Sequence, residues 1–257
     1  MADILRIFDR QPLTLRGAGD AEVTKVARAR PEKETHLTKR PDRVGPYLVY
    51  KMKEFAFDEF SRDYLKKGGF ADELSGVPIP LRDEDLEAFK NPEGLKGNII
   101  AENMARVLGI DPRFKYRDAY ASYIDRFFGK KAVDNMTRKA KDHADRQDYD
   151  EACVYFRAGL ALKFDDMPAM YGYARVLRTL YENSGKEDYI GNLKAESLDY
   201  FEMTTELYPR FDMAWYYLGY MYLNLGLYMK AKLAWGEYLK NGRIMKDRRE
   251  IKKRLEQ

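Results

Sequence analysis

The chain has one cysteine, Cys153, and two histidines, His36 and His143, among 257 residues. A lone cysteine excludes an internal disulfide. No C-x2-C, H-E-x-x-H or calcium-loop spacing occurs, so no metal site is expected. Long apolar runs are missing too: charges interrupt every hydrophobic stretch well short of the roughly 20 residues that a membrane-spanning helix needs. The first residues, Met1-Ala2-Asp3-Ile4-Leu5-Arg6, lack a basic stretch followed by an apolar one, so no secretory signal is expected. A single thiol with neither signal nor span points to a cytoplasmic protein. Gly17-Ala18-Gly19 lacks the later glycine and the Lys-Ser/Thr of a phosphate loop, and no cofactor is expected.

Charge, by contrast, is plentiful. The 46 Lys and Arg and 42 Asp and Glu leave a net +4, but unevenly. From Lys240 to the end stand eight basic residues against three acids, a local +5 that leaves about −1 for the rest. A basic end is a footprint for nucleic acid. It is equally the solvated side of a terminal capping helix, with Ile244, Ile251 and Leu255 at i, i+7 and i+11 as its buried stripe. No aromatics interleave with these cations, which argues against single-strand binding. The capping reading, for residues 243–257, is the simpler one.

The strongest pattern lies just upstream. Trp215, Leu218 and Tyr222 fall at i, i+3 and i+7 and share one helix face. Gly219 sits on that face without a side chain, so a second helix can approach closely. Glycine within a helix costs roughly 1 kcal/mol against alanine and needs such a reason. After Leu225-Gly226 a second helix begins near Tyr228, with Ala231 and Trp235 facing back. The pattern recurs. Ser197 with Phe201 lies 34 residues before Ala231 with Trp235, and Ala152 with Phe156 lies 45 before Ser197. On the preceding helices Met136, Met170 and Trp215 correspond, with steps of 34 and 45. The surplus of 11 residues falls inside the middle unit, at the polar stretch 182–193.

The spacing W-x2-L-G-x2-Y, followed by Ala231 and Trp235, resembles the tetratricopeptide-repeat (TPR) family over about residues 133–257. Asp148-Tyr149-Asp150-Glu151-Ala152 is also typical of it, whereas Lys139 and His143 replace the usual leucine and tyrosine. Three units follow: 133–166, 167–211 with an inserted loop at 182–193, and 212–242. The resemblance implies an all-α right-handed superhelix whose concave groove is lined by the first helix of each unit. Carried residue by residue, the groove positions are Lys141, Tyr171, Arg175, Arg178, Tyr216, Tyr220 and Asn224, with Thr137 beside them. Tyrosine and arginine combine apolar area with directional polar groups, as interface hot spots do. The carboxylate clamp of chaperone-binding members would fall on Thr137, Lys141, Gly172, Met213 and Tyr217. Only Lys141 has suitable chemistry there, which argues against that ligand.

Residues 1–44 are polar and glycine- and proline-containing, and read as a mostly disordered arm with a short ordered start at Ile4–Phe8. Residues 45–132 read as an all-helical region of no recognised family. A helix from Tyr47 ends at Gly68-Gly69, a loop spans Ser75–Pro80, and helices are expected at Asp83–Phe89, Ile99–Leu108 and Arg117–Phe128. Asp83-Glu84-Asp85 reads as a helix start rather than a catalytic pair. His143 reads as a packing residue and Cys153 as a buried small hydrophobe.

These residues point to a non-catalytic interaction scaffold holding a protein or peptide in the groove. Two other classes stay open: nucleic-acid association through the basic end, and an enzyme within 45–132 with the repeats as docking module. An exposed tyrosine-rich face also allows self-association.

Overall fold

The computed structural model describes residues 41–256, apart from 70, 92–93, 184–186 and 242–246. The arm up to residue 40, with its expected start at Ile4–Phe8 and with His36, lies outside the described residues. Among the described residues the chain is all-α apart from one short antiparallel pair of strands. Among the described residues no helix is long and apolar enough to cross a membrane.

The amino-terminal region runs through α1 (Gly45–Leu48), a 3-10 stretch (Val49–Glu54), β1 (Ala56–Asp58), α2 (Arg62–Gly68), α3 (Ala71–Leu74), β2 (Ile79–Leu81), a 3-10 turn (Asp83–Asp85), α4 (Leu86–Lys90), α5 (Gly97–Ile110) and α6 (Arg117–Phe128). The expected continuous helix from Tyr47 is therefore corrected. The chain leaves helical geometry at Phe55, and Ala56–Asp58 pairs in register with Leu81–Ile79. Ile79 and Leu81 are fully buried, so the expected loop at Ser75–Pro80 ends in a core strand. Pro80 has no N–H to give, and its carbonyl accepts from Asn103 Nδ2 on α5 at 3.2 Å. A new α2 then starts where Ser61 Oγ accepts from the Tyr64 amide, and it stops at Gly69, whose φ of 68° suits glycine. The expected helices at Ile99–Leu108 and Arg117–Phe128 appear as α5 and α6, whereas Asp83–Phe89 is divided into a 3-10 turn and α4.

After a 3-10 turn, three helix pairs stack in chain order. They are α7 (Ala132–Asp145) with α8 (Tyr149–Leu162), α9 (Met167–Asn183) with α10 (Glu187–Leu207), and α11 (Asp212–Asn224) with α12 (Tyr228–Asn241). The recurring positions fill the core: Met136, Phe156, Met170 and Phe201 are fully buried, and Trp235 nearly so. A Cβ at Gly219 would collide with the Trp235 indole, so the glycine is what lets α11 and α12 close on each other. The expected loop at 182–193 is corrected. α9 continues to Asn183 and α10 begins at Glu187, so most of the surplus lengthens two helices. Glu182 and Asn183, at the end of α9, are polar and exposed, whereas Leu193 on α10 is buried. Finally α13 (Arg248–Leu255) lays Ile251, fully buried, against the last pair.

One hydrophobic core joins the amino-terminal region to the first two pairs, and a second centres on the last pair. The amino-terminal region packs across the second helix of the first pair: α5 lies against α8 so closely that a Cβ on Gly109 would strike the Val154 carbonyl. Residues 41–44, expected within the arm, belong to this fold. The amides of Arg43 and Val44 donate to Glu196 Oε2 at 2.8 and 3.0 Å.

Candidate functional site

The first helices bring several expected groove residues together, in a more buried setting than their pattern implied. Tyr171 and Arg175, one turn apart on α9, face α11. Arg175 Nη1 donates to the Tyr171 hydroxyl at 3.1 Å, and its guanidinium lies 4.0 Å from the centre of the Tyr217 ring. Arg178 approaches the same ring at 5.1 Å and pairs with Glu182 at 2.7 Å. The Tyr217 ring stacks in turn on Phe201 of α10, and Tyr171 sets its edge against Phe211 at 4.8 Å. Cations over aromatic faces gain about 0.5–2 kcal/mol, more where water is excluded. Arg175 is only 9% exposed, so much of its contribution is to hold adjacent units together. Burial pushes the Tyr171 phenol up to about 12, against the pull of Arg175. Arg178 is half-buried, and its Nε has no hydrogen-bond partner.

Tyr216 and Tyr220 occupy the corresponding positions on α11. Tyr216 is buried, and its hydroxyl donates to Asp247 Oδ2, just before α13, at 2.5 Å. Tyr220 is half-buried, edge-on to Trp235 and to Tyr216 at 5.0 Å each. Burial raises both phenol pKa values, with Asp247 adding to the effect. Thus the residue that precedes α13 ties that helix to Tyr216 of α11. Lys141 lies half-buried on α7, with Thr137 buried beside it, and Asn224 is exposed at the end of α11.

Two buried ionic clusters escaped sequence reasoning. In one, Glu151 at the start of α8 accepts from Arg106 Nη2 at 2.9 Å and from Lys51 Nζ at 2.7 Å. Burial would raise its carboxyl, but Arg106 and Lys51 hold it below the ordinary value. Arg106 also reaches Glu54 at 2.7 Å. In the other, Arg157 on α8 holds Asp42 by two bonds of 2.8 Å and donates to the Gly109 carbonyl at 2.6 Å. Burial opposes ionisation of Asp42, yet Arg157 keeps its pKa lowered. Glu196, buried more deeply, is raised despite Tyr173 and Arg157. A cavity of about 320 Å³ opens beside this cluster, with Arg113 and Arg117 at its rim and Phe164 and Met203 within. The available signal was an arginine inside an apolar run, as in Ala105-Arg106-Val107 and Phe156-Arg157-Ala158, because such charges are buried only when paired.

His143 packs as expected: its ring stacks on Tyr155 and its Nδ1 lies 3.0 Å from Asp148. Cys153 is fully buried, which lifts its thiol well above the usual range. Among the described residues, no three His, Cys, Asp or Glu side chains could together hold a metal ion. Comparison with protein-family models, with curated proteins and with solved structures found no match for this chain.

Proposed function

We propose that the chain is a non-catalytic interaction scaffold of the tetratricopeptide-repeat type, which takes a peptide or partner helix along its first helices. The observation that carries this reading is the aromatic–cationic layer of Tyr171, Arg175, Arg178 and Tyr217 between α9 and α11. Tyr171 and Arg178 remain partly accessible there. Its buried members pre-set the ring stack, which lowers the ordering cost of binding. Its accessible members offer apolar area and a cation to a ligand with aromatic or aliphatic anchors and some acidic character. Tyr220 and Asn224 extend this surface along α11, and Lys141 along α7.

The test compares full-length wild type with an Arg178→Glu, Tyr220→Ala, Asn224→Ala variant in lysate pull-downs read by mass spectrometry, with and without nuclease. These positions are half-buried or exposed, so the variant folds, as circular dichroism would verify. A protein retained by wild type and lost by the variant supports the reading; equal retention defeats it.

A second reading rests on α13, whose Arg249, Lys252 and Lys253 are exposed on one short helix. If it held nucleic acid, binding would fall steeply with salt and retention would vanish with nuclease.

A further inference from the structure

The second helices of the three pairs correspond position by position. Ala152 on α8, Ser197 on α10 and Ala231 on α12 hold the same packing position, and α8 and α12 correspond from end to end. One residue before that position stand Glu151, Glu196 and Lys230; two after it stand Val154, Asp199 and Leu233; five after it stand Arg157, Glu202 and Gly236.

In the first two pairs the amino-terminal region covers this outer face. Glu151 takes Arg106 and Lys51, Val154 lies fully buried under α5, and Arg157 takes Asp42. Glu196 takes the amides of Arg43 and Val44, and Asp199 takes the Arg43 guanidinium. On α12 no described residue covers the same face. Met229 is 72% and Leu233 70% exposed, and Lys230 and Lys232 flank them, with Glu237 one turn on pairing with Lys240. Gly236 continues the stripe, and a Cβ there would meet nothing within 4 Å. A mid-helix glycine costs roughly 1 kcal/mol against alanine, and among the described residues no contact on this face requires it. Gly109 shows what such a residue does in this fold, since it lets α5 lie directly on the α8 backbone.

We infer that the outer face of α12, centred on Met229, Leu233 and Gly236, docks an acidic amphipathic helix of a partner protein, as α5 docks on α8. The acidic character follows from charge complementarity. Where α8 offers Glu151 to the arginine of its covering helix, α12 offers Lys230, so the covering helix carries an acid there. A second copy packed parallel would bring Lys230 and Lys232 against their own kind, and an antiparallel one would offer only Glu237, already paired with Lys240, to two lysines. Residues 1–40 carry nine Lys and Arg against six acids, the same sign as the face. This surface is separate from the first-helix layer, and either proposal can fail alone.

The test uses the full chain and a fluorescent peptide of residues 97–110 carrying Arg106→Glu, titrated by anisotropy at low salt. Saturable binding is expected, weakened more than tenfold by Leu233→Asp and independently by Met229→Asp, both at exposed sites. Lys230→Glu should weaken that peptide and strengthen the peptide with the original Arg106. Absence of saturable binding, or equal binding by all variants, overturns the inference. A wild-type dimer in sedimentation that Leu233→Asp abolishes would assign the face to a second copy. Binding that appears only after deletion of residues 1–40 would assign it to this chain. Either result also overturns the proposal.

Discussion

Replacing Glu151 by glutamine tests how the amino-terminal region is fastened to the repeats. The carboxylate is 8% exposed and receives both Arg106, 3% exposed, and Lys51, 8% exposed. Glutamine keeps the shape and removes the charge, leaving two buried cations to share Glu54, which is partly in solvent. Breaking a buried pair from one side costs about 3–5 kcal/mol. Because Glu54 still compensates in part, the lower end applies, about 3 kcal/mol. For an ordered body of this size, that lowers Tm by roughly 6–12 °C. Thermal and urea unfolding followed by circular dichroism at pH 7 would measure it. The double variant Glu151→Leu, Arg106→Met removes both charges and should recover much of the loss, leaving Lys51 with Glu54. The pH dependence has a definite sign. The folded-state pKa of Glu151 is depressed, so its contribution is fully present above the unfolded value, about 4.3, and is lost as pH falls through the folded one. Between pH 6 and pH 3 the wild type should therefore lose more stability than Glu151→Gln. A loss below about 1 kcal/mol, or a double variant as unstable as the single, would refute the reasoning.

Three further outcomes are expected. Cys153, fully buried with its thiol pushed up, should resist alkylation in native protein and react only at the rate of unfolding; fast modification by iodoacetamide would contradict this packing. Gly219→Ala should destabilise by about 1–2 kcal/mol in urea titration, because overpacking against the Trp235 indole outweighs the gain in helix propensity; an increase in stability would mean that the indole yields. Tyr216→Phe removes the bond to Asp247 at a cost of about 1 kcal/mol and should speed tryptic cleavage within α13, whereas unchanged cleavage would show that Ile251 alone holds it.

The repeat half was legible because each of its signals is local. Trp215, Leu218, Gly219 and Tyr222 fall within one helix, and their partners Ala231 and Trp235 within the next, so spacing alone located both. The stretch 182–193 misled because polarity reports exposure rather than the absence of a helix, and α9 and α10 extend past their neighbours. In the amino-terminal region the deciding contacts are distant in sequence. Ala56–Asp58 becomes a strand only because Ile79–Leu81 lies beside it, although Phe55-Ala56-Phe57 carries a faint alternation. The candidate site was legible as a face and not as an environment. The i, i+4 pairing placed Tyr171 beside Arg175 and Tyr216 beside Tyr220, but nothing local announced that Tyr217 would cover Arg175 or that Asp247 would claim the Tyr216 hydroxyl.

The clasp of Arg43 and Val44 on Glu196 sets an order of events during synthesis. The amide and the carboxylate that meet there are separated by 153 positions along the chain. At about 5–20 residues per second, roughly 8–30 s pass between the emergence of one and of the other. Throughout that interval the Arg43 and Val44 amides, with Val44 buried in the finished protein, wait for Glu196 of the second pair to arrive. A segment near the start of the described fold thus closes onto a helix made much later, so the amino-terminal region and the first two pairs are completed together.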